Sequence, residues 1–217
     1  SIGHDGRRAA AVVAYGTATR EHLIRLDVPA ERIFAGTQVV PPVLLPPPAT
    51  DRQALGVEGR TVVLSVGYMV PRKGMDVLIQ AFRQVAGPKD LLVLVGSGPE
   101  GETLRQLTAG DDRIRFPGYL EGAHKTAWYA AADLFVLPTL HDPWGLVVNE
   151  AMAFGLPIIT TDSAGCAPDL VRDNGLIVPA GDVGALADAL DRLLSDEPLR
   201  QQMGRRSREI IATYTVE

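Results

Sequence analysis

Asp142 and Glu150 stand eight positions apart, on either side of the run Pro143-Trp144-Gly145-Leu146-Val147. Ahead of them, Leu134 to Leu137 reads as a buried strand that Pro138 cuts off; behind, a helical pattern opens at Leu146 and is stopped by Gly155 and Pro157. Strand, loop and helix start in that order make an anion site. The amides around Gly145, Leu146 and Val147 have no intrahelical partner, and the helix dipole favours negative charge. A phosphate there would lie between two carboxylates able to accept hydrogen bonds from sugar hydroxyls. A second cluster, Gly67-Tyr68-Met69-Val70-Pro71-Arg72-Lys73-Gly74, also joins an apolar run to a helical pattern. Adjacent cations at a helix start oppose the dipole, so Arg72 and Lys73 ask for a reason. A bound diphosphate would supply it through charge-assisted hydrogen bonds; a solvated basic turn is the simpler alternative.

The elements that must position these residues follow from periodicity. Buried strands are expected at Val62–Val66, Leu91–Val95, Ile114–Phe116, Leu134–Leu137, Pro157–Thr160 and Leu176–Val178. Helical patterns run over Met75–Val85, Glu100–Leu107, Ala123–Ala131, Leu146–Phe154, Val183–Leu194 and Leu199–Ala212. Strict alternation with continuously apolar strands predicts an α/β fold: a Rossmann-like, parallel, six-stranded sheet with helices on both faces, binding ligands beyond the strands' carboxyl ends. Upstream, Ala11–Ala14 reads as a short strand, Thr17–Leu26 as a helix and Ile33-Phe34 as an extended piece. A βα unit at the start of a single domain is the blander alternative; two strands and a helix enclose no core alone, so this segment should pack on a partner outside the chain or be mobile. Pro41-Pro42 and Pro46-Pro47-Pro48 predict a stiff linker and a domain boundary near residues 41–50.

Of 217 residues, 46% are hydrophobic, enough for a globular core. The net charge of −5 gives no basic footprint for nucleic acid or an anionic membrane. A single cysteine, Cys166, excludes an internal disulfide framework and a cysteine-rich zinc site, and fits a cytoplasmic setting. No apolar run is long enough to span a bilayer. His4, His22 and His124 read as surface groups, whereas His141, beside Asp142, could reach a sugar; Asp133 reads as a structural acid at a strand start.

The run from Asp142 through Trp144-Gly145-Leu146-Val147-Val148-Asn149-Glu150-Ala151-Met152-Ala153, with Gly155-Leu156-Pro157-Ile158-Ile159 behind it, resembles the acidic-x7-acidic motif of retaining GT-B glycosyltransferases of group 1. The likeness extends from about Tyr15 to Tyr214. It implies that the chain holds the C-terminal, donor-binding half of a GT-B fold, over residues 46–217. Residues 1–45 would be the tail of an N-terminal acceptor domain plus linker. The implied reaction moves a sugar (a hexosyltransferase step) from a UDP- or GDP-linked donor to an acceptor hydroxyl in glycan or glycolipid synthesis, with retention and without a cofactor or metal. By resemblance, Glu150 holds the donor ribose and Asp142 lies beside the sugar, where the family usually has the longer Glu. Lys73 matches a diphosphate-binding lysine. Gly67 matches a Gly-Arg pair whose arginine is here Tyr68, with Arg72 beside it. Gly98 belongs to a Gly-x-Gly-Pro that lines the cleft, and the Phe116 to Gly118 turn reads the base through its backbone. No Asp-x-Asp occurs, the sequence a metal-bound diphosphate needs in the other main glycosyltransferase fold. With most of the acceptor domain expected elsewhere, the chain alone should bind nucleotide weakly and transfer little sugar; any peripheral membrane contact would come through that domain. Two rivals stand: a non-catalytic nucleotide-binding module of the same fold, and an NAD-dependent oxidoreductase. The latter is opposed by the lack of Gly-x-Gly-x-x-Gly in the first turn of the domain.

Overall fold

Apolar runs of four to six residues, each bounded by glycine, proline or a charged residue, form the strands of the sheet. The computed structural model describes residues 9–36 and 52–214. Six strands, β3 (Thr61–Val66), β4 (Asp90–Val95), β5 (Ile114–Gly118), β6 (Leu134–Leu137), β7 (Ile158–Thr161) and β8 (Gly175–Val178), make one parallel sheet in the order β5-β4-β3-β6-β7-β8. This is the doubly wound order, with its switch point between β3 and β6. The expected fold is the observed one.

Side chains alternate along each strand, so the sheet builds two cores. On one face Val62, Leu64, Val93 and Phe135 pack against α4 (Gly122–Ala131), α5 (Leu146–Ala153) and the end of α8 (Glu197–Ile211). On the other, Val63, Leu92, Leu94 and Val136 pack against α2 (Met75–Val85), α3 (Gly101–Leu107) and α7 (Val183–Ser195). Asp133 closes the bottom of the sheet: its carboxylate accepts from the Val62 amide at 2.7 Å and from Arg52 at 3.2 Å, the structural role the sequence suggested.

Predicted boundaries moved by at most two residues. β5 runs two residues further, through Pro117, because it is an edge strand where a missing N–H is tolerated. Helix α8 starts two residues earlier, with Asp196 capping the Leu199 amide and Pro198 in its first turn, where proline breaks no hydrogen bond. A short helix, α6 (Ala167–Leu170), carries too few residues to show a period and was not expected.

Upstream, β1 (Val12–Tyr15) and β2 (Ile33–Gly36) pair in parallel around α1 (Gly16–Arg25), with a small core of Ala14, Leu23, Val28 and Ile33. The sequence offered an outside partner, mobility or, more blandly, a βα unit of a single domain; the described segment docks on the larger sheet's domain through the start of α1. There Thr17 donates its amide and hydroxyl to Asp169 at 2.8 and 2.5 Å, and Gly16, at φ +71°, sits where a Cβ would meet Trp144 and Asp169. Val13 and Phe34 remain exposed. The proline-rich stretch on which a domain boundary was placed lies outside the described residues.

Candidate functional site

Loops leave the carboxyl ends of β3, β4 and β5 side by side and lock together through their backbones. Gly67 donates to Val95, Met69 to Ser97, and Gly96 to Gly118, at 2.8–3.0 Å. Gly96, at φ +145°, lies so close to the Gly67 carbonyl that no Cβ would fit. Beyond these loops opens a cavity of about 600 Å³, lined by Gly67, Tyr68, Ser97, Tyr119, Glu121 and Lys125 among others. Of the predicted residues Gly67 lines it. Gly98 instead abuts the backbone of Met69, and Phe116 packs beneath the Arg105 guanidinium, 5.5 Å from its ring centre. Gly118, at φ +89°, ends β5 with its carbonyl taken by Gly96.

At the switch point the loops after β3 and β6 converge. Arg72 and Lys73 lie in a 3-10 turn, Pro71–Lys73, closed by Gly74 at φ +63°, with the Pro138 carbonyl packed where a Cβ would project. The Arg72 carbonyl accepts from the Thr139 hydroxyl at 2.9 Å and the Leu140 amide at 2.8 Å, and its guanidinium donates to the His141 carbonyl at 3.1 Å. Lys73 crosses to Asp142 in a short ion pair, both side chains nearly buried. The two cations therefore already have protein partners, so their place near a helix start does not by itself require a diphosphate. It requires the β6 loop.

Asp142 is fixed by its own chain as well. Its second oxygen accepts from the Trp144 amide at 3.2 Å, and its backbone bridges Ala164. Trp144 is buried and donates its indole N–H to Asn149 at 2.9 Å, tying the loop to the first turns of α5. Gly145, at φ +94°, starts that helix without a side-chain cap or an acidic first-turn residue, leaving the amide end of α5 uncompeted for. Leu146 is partly exposed there, and Val147 follows it. About one turn into α5, Glu150 is held by groups from α4: Lys125 Nζ lies 2.9 Å from Oε1, and the Tyr129 hydroxyl donates to Oε2 at 2.7 Å. Burial, then the charge of Glu150, pushes the Tyr129 phenol well above its ordinary range. Behind the loop, burial and the charge of Asp142 push the Cys166 thiol up to about 12.

Sequence reasoning did not single out Lys125, Tyr129, Tyr119 or Glu121. A four-residue spacing puts Lys125 and Tyr129 on one helix face, the one available signal, but nothing local says that this face meets Glu150. A second cavity of about 390 Å³ opens between α1 and the β6 loop, lined by His22, His141, Asp142 and Asp162 among others. Among the described residues no helix is long and apolar enough to cross a membrane.

The strand order, reversing between β3 and β6, defines a doubly wound α/β domain, a class whose ligand sites lie outside the strands' carboxyl ends. The chain belongs to the family of glycosyl transferases group 1, which residues 49–210 match. It is 35% identical over 170 residues to the lipopolysaccharide core biosynthesis glycosyltransferase LpsE of Rhizobium meliloti, covering 75% of this chain and 48% of that protein. It is 37% identical over 161 residues to a phosphatidyl-myo-inositol mannosyltransferase of Mycobacterium leprae, covering 72% and 43%. Among solved structures, a sucrose-phosphate synthase from Thermosynechococcus elongatus superposes with a TM-score of 0.86 at 29% identity, over 98% of this chain and 56% of that one. HepE of Anabaena, solved with UDP and glucose, superposes with a TM-score of 0.84 at 26% identity, over 96% and 60%. The chain thus spans about half the length of the curated relatives it matches.

Proposed function

We propose that residues 46–217 are the donor-binding domain of a retaining glycosyltransferase, with residues 1–45 the tail of an acceptor domain and its linker. The whole protein would move a sugar from a UDP- or GDP-linked donor to an acceptor hydroxyl in cytoplasmic glycan or glycolipid synthesis, and this chain alone would transfer little. The observation that carries the reading is the convergence of Lys73, Asp142 and the uncapped start of α5 at the switch point, with Glu150 behind them on the same helix.

In this reading the donor diphosphate lies against the Gly145 to Val147 amides. Lys73 has three N–H donors and spends one on Asp142, which leaves two for the diphosphate. Asp142 keeps lone pairs for a sugar hydroxyl while accepting from Lys73 and Trp144. Glu150 takes the ribose diol. As the sugar–phosphate bond breaks, negative charge grows on the diphosphate, and Lys73, Arg72 and the helix start stabilise it more than they stabilise the ground state. Arg72 must first leave the His141 carbonyl, a modest cost for an exposed group. Without a metal, this fixed positive field would carry the leaving group. The departing phosphate would take the acceptor's proton, so no protein base is assigned.

The test is a panel of UDP-, GDP- and ADP-sugars offered to the full-length protein with candidate acceptors, scored for acceptor-dependent nucleoside diphosphate release and for the anomeric configuration of the product by NMR. Release with retention is expected. Inversion would contradict the mechanism; donor consumption with no dependence on acceptor would favour an epimerase or hydrolase.

A further inference from the structure

We infer that Tyr129 is a positioning residue, one that sets the Glu150 carboxylate for the ribose of a nucleoside diphosphate. The inference rests on the donor-site reading above. Glu150 is gripped at both oxygens by a single helix, α4, because Lys125 and Tyr129 lie one turn apart on one face. The two grips differ in kind. Lys125 also lines the 600 Å³ cavity and keeps about a quarter of its side-chain surface exposed, so its bond to Oε1 is open to competition from a ligand. Tyr129 is 1% exposed, stacked on Phe154 at 5.5 Å and tilted against Phe135 at 5.9 Å, and no ligand can displace it. Oε2 is therefore the fixed oxygen, and Oε1, held by the cavity-lining Lys125, the one for which a ligand can compete.

Packing alone does not call for this hydroxyl. A phenylalanine would fill the same aromatic layer, and a buried phenol facing a carboxylate desolvates two polar groups for one hydrogen bond, a poor exchange for stability. What the hydroxyl adds is direction. It locks the rotation of the carboxylate about its last bond, a torsion that is otherwise broad. The phenol is held above its ordinary titration range by burial and by Glu150, so it remains a donor throughout the working pH. Preorganisation of this sort improves binding by removing rotamer freedom before the ligand arrives.

The decisive experiment is calorimetric titration of the full-length protein, as wild type, Tyr129→Phe and Glu150→Gln, with UDP and GDP and with their 2′,3′-dideoxy counterparts. The wild type should bind the ribose form roughly tenfold more tightly than the dideoxy form, the worth of a hydrogen bond to a charged group. Tyr129→Phe should cut that ratio to about threefold while leaving the dideoxy affinity close to wild type; the buried Glu150 oxygen left without its donor should also lower the melting temperature by a few degrees, a loss independent of the ligand form. Glu150→Gln should nearly abolish the ratio. A full ratio in Tyr129→Phe, or equal loss for both ligand forms, would overturn the positioning role while leaving the Glu150 reading intact. Absence of any ribose preference in the wild type, or of any UDP or GDP binding, would remove the Glu150 reading and this inference together.

Discussion

Asp142 and Glu150 sit eight residues apart and each carries a lysine, yet they are held by opposite means. Asp142 is a loop residue whose partner, Lys73, comes from the other half of the sheet, so their ion pair exists only while the loops after β3 and β6 meet. Glu150 is a helix residue whose partners both come from the neighbouring helix on one face of the sheet, with a buried phenol behind. The first arrangement concentrates opposite charges at a seam and can shift with it. The second is rigid. In the proposed chemistry the seam faces the bond that changes, and the rigid pair faces the ribose, which does not.

The largest effect should come from breaking the seam. Lys73→Ala is expected to lower kcat/KM for transfer by roughly 100-fold or more, because it removes charge that counters the leaving diphosphate. It also leaves Asp142 nearly buried without its counter-ion, a stability cost of about 2 kcal/mol that urea denaturation would read. Gly74→Ala attacks the same seam through the backbone. A left-handed φ and the Pro138 carbonyl oppose a Cβ there, so a loss of about 2–3 kcal/mol is expected. Its consequence for binding sharpens the comparison. Donor affinity should fall, while the preference for ribose over dideoxyribose, which depends on the other pair, should hold.

Much of this seam was legible before the structure. The apolar strand runs, the glycines and prolines that end them, and the acidic pair around Gly145 gave the six strands, their parallel class and the helix start that faces the cleft. The partners were not legible. That Lys73 meets Asp142 depends on β3 and β6 being neighbours, which strand order decides and local sequence does not. For the same reason the sequence, which offered Arg72 and Lys73 a diphosphate or a solvated turn, could not show that the β6 loop engages both. The docking of α1 through Thr17 and Asp169 joins residues 152 positions apart and left no local trace.

A third carboxylate, outside the cleft, supplies the control. Asp111 is held at about 2 chiefly by the hydrogen bond from Arg113, against the opposing effect of burial. Because its folded value is depressed, it stabilises the fold above the unfolded carboxylate value near 4 and loses that contribution as pH falls towards 2. The difference in urea midpoint between wild type and Asp111→Asn should therefore be constant above pH about 5, shrink as pH falls and lose its pH-dependent part only below about pH 2, with transfer at neutral pH unchanged. An altered donor affinity in this variant would mean that the cleft is less insulated than the comparison holds.

The smallest expected effect concerns Cys166, behind Asp142. A thiol pushed up to about 12 by burial should react with a disulfide reagent at pH 8 only as fast as the protein opens. Prompt reaction in the folded protein would mean that the loop after β6 opens on its own.

The central claim is that Lys73 and Glu150 belong to one donor site. Calorimetric titration with UDP, GDP, ADP and NAD, for the wild type and for Lys73→Ala and Glu150→Ala, tests it most directly. The account predicts that one nucleoside diphosphate binds selectively and that each variant weakens it by about tenfold or more. Unchanged affinity in both variants, or binding of NAD alone, would contradict it.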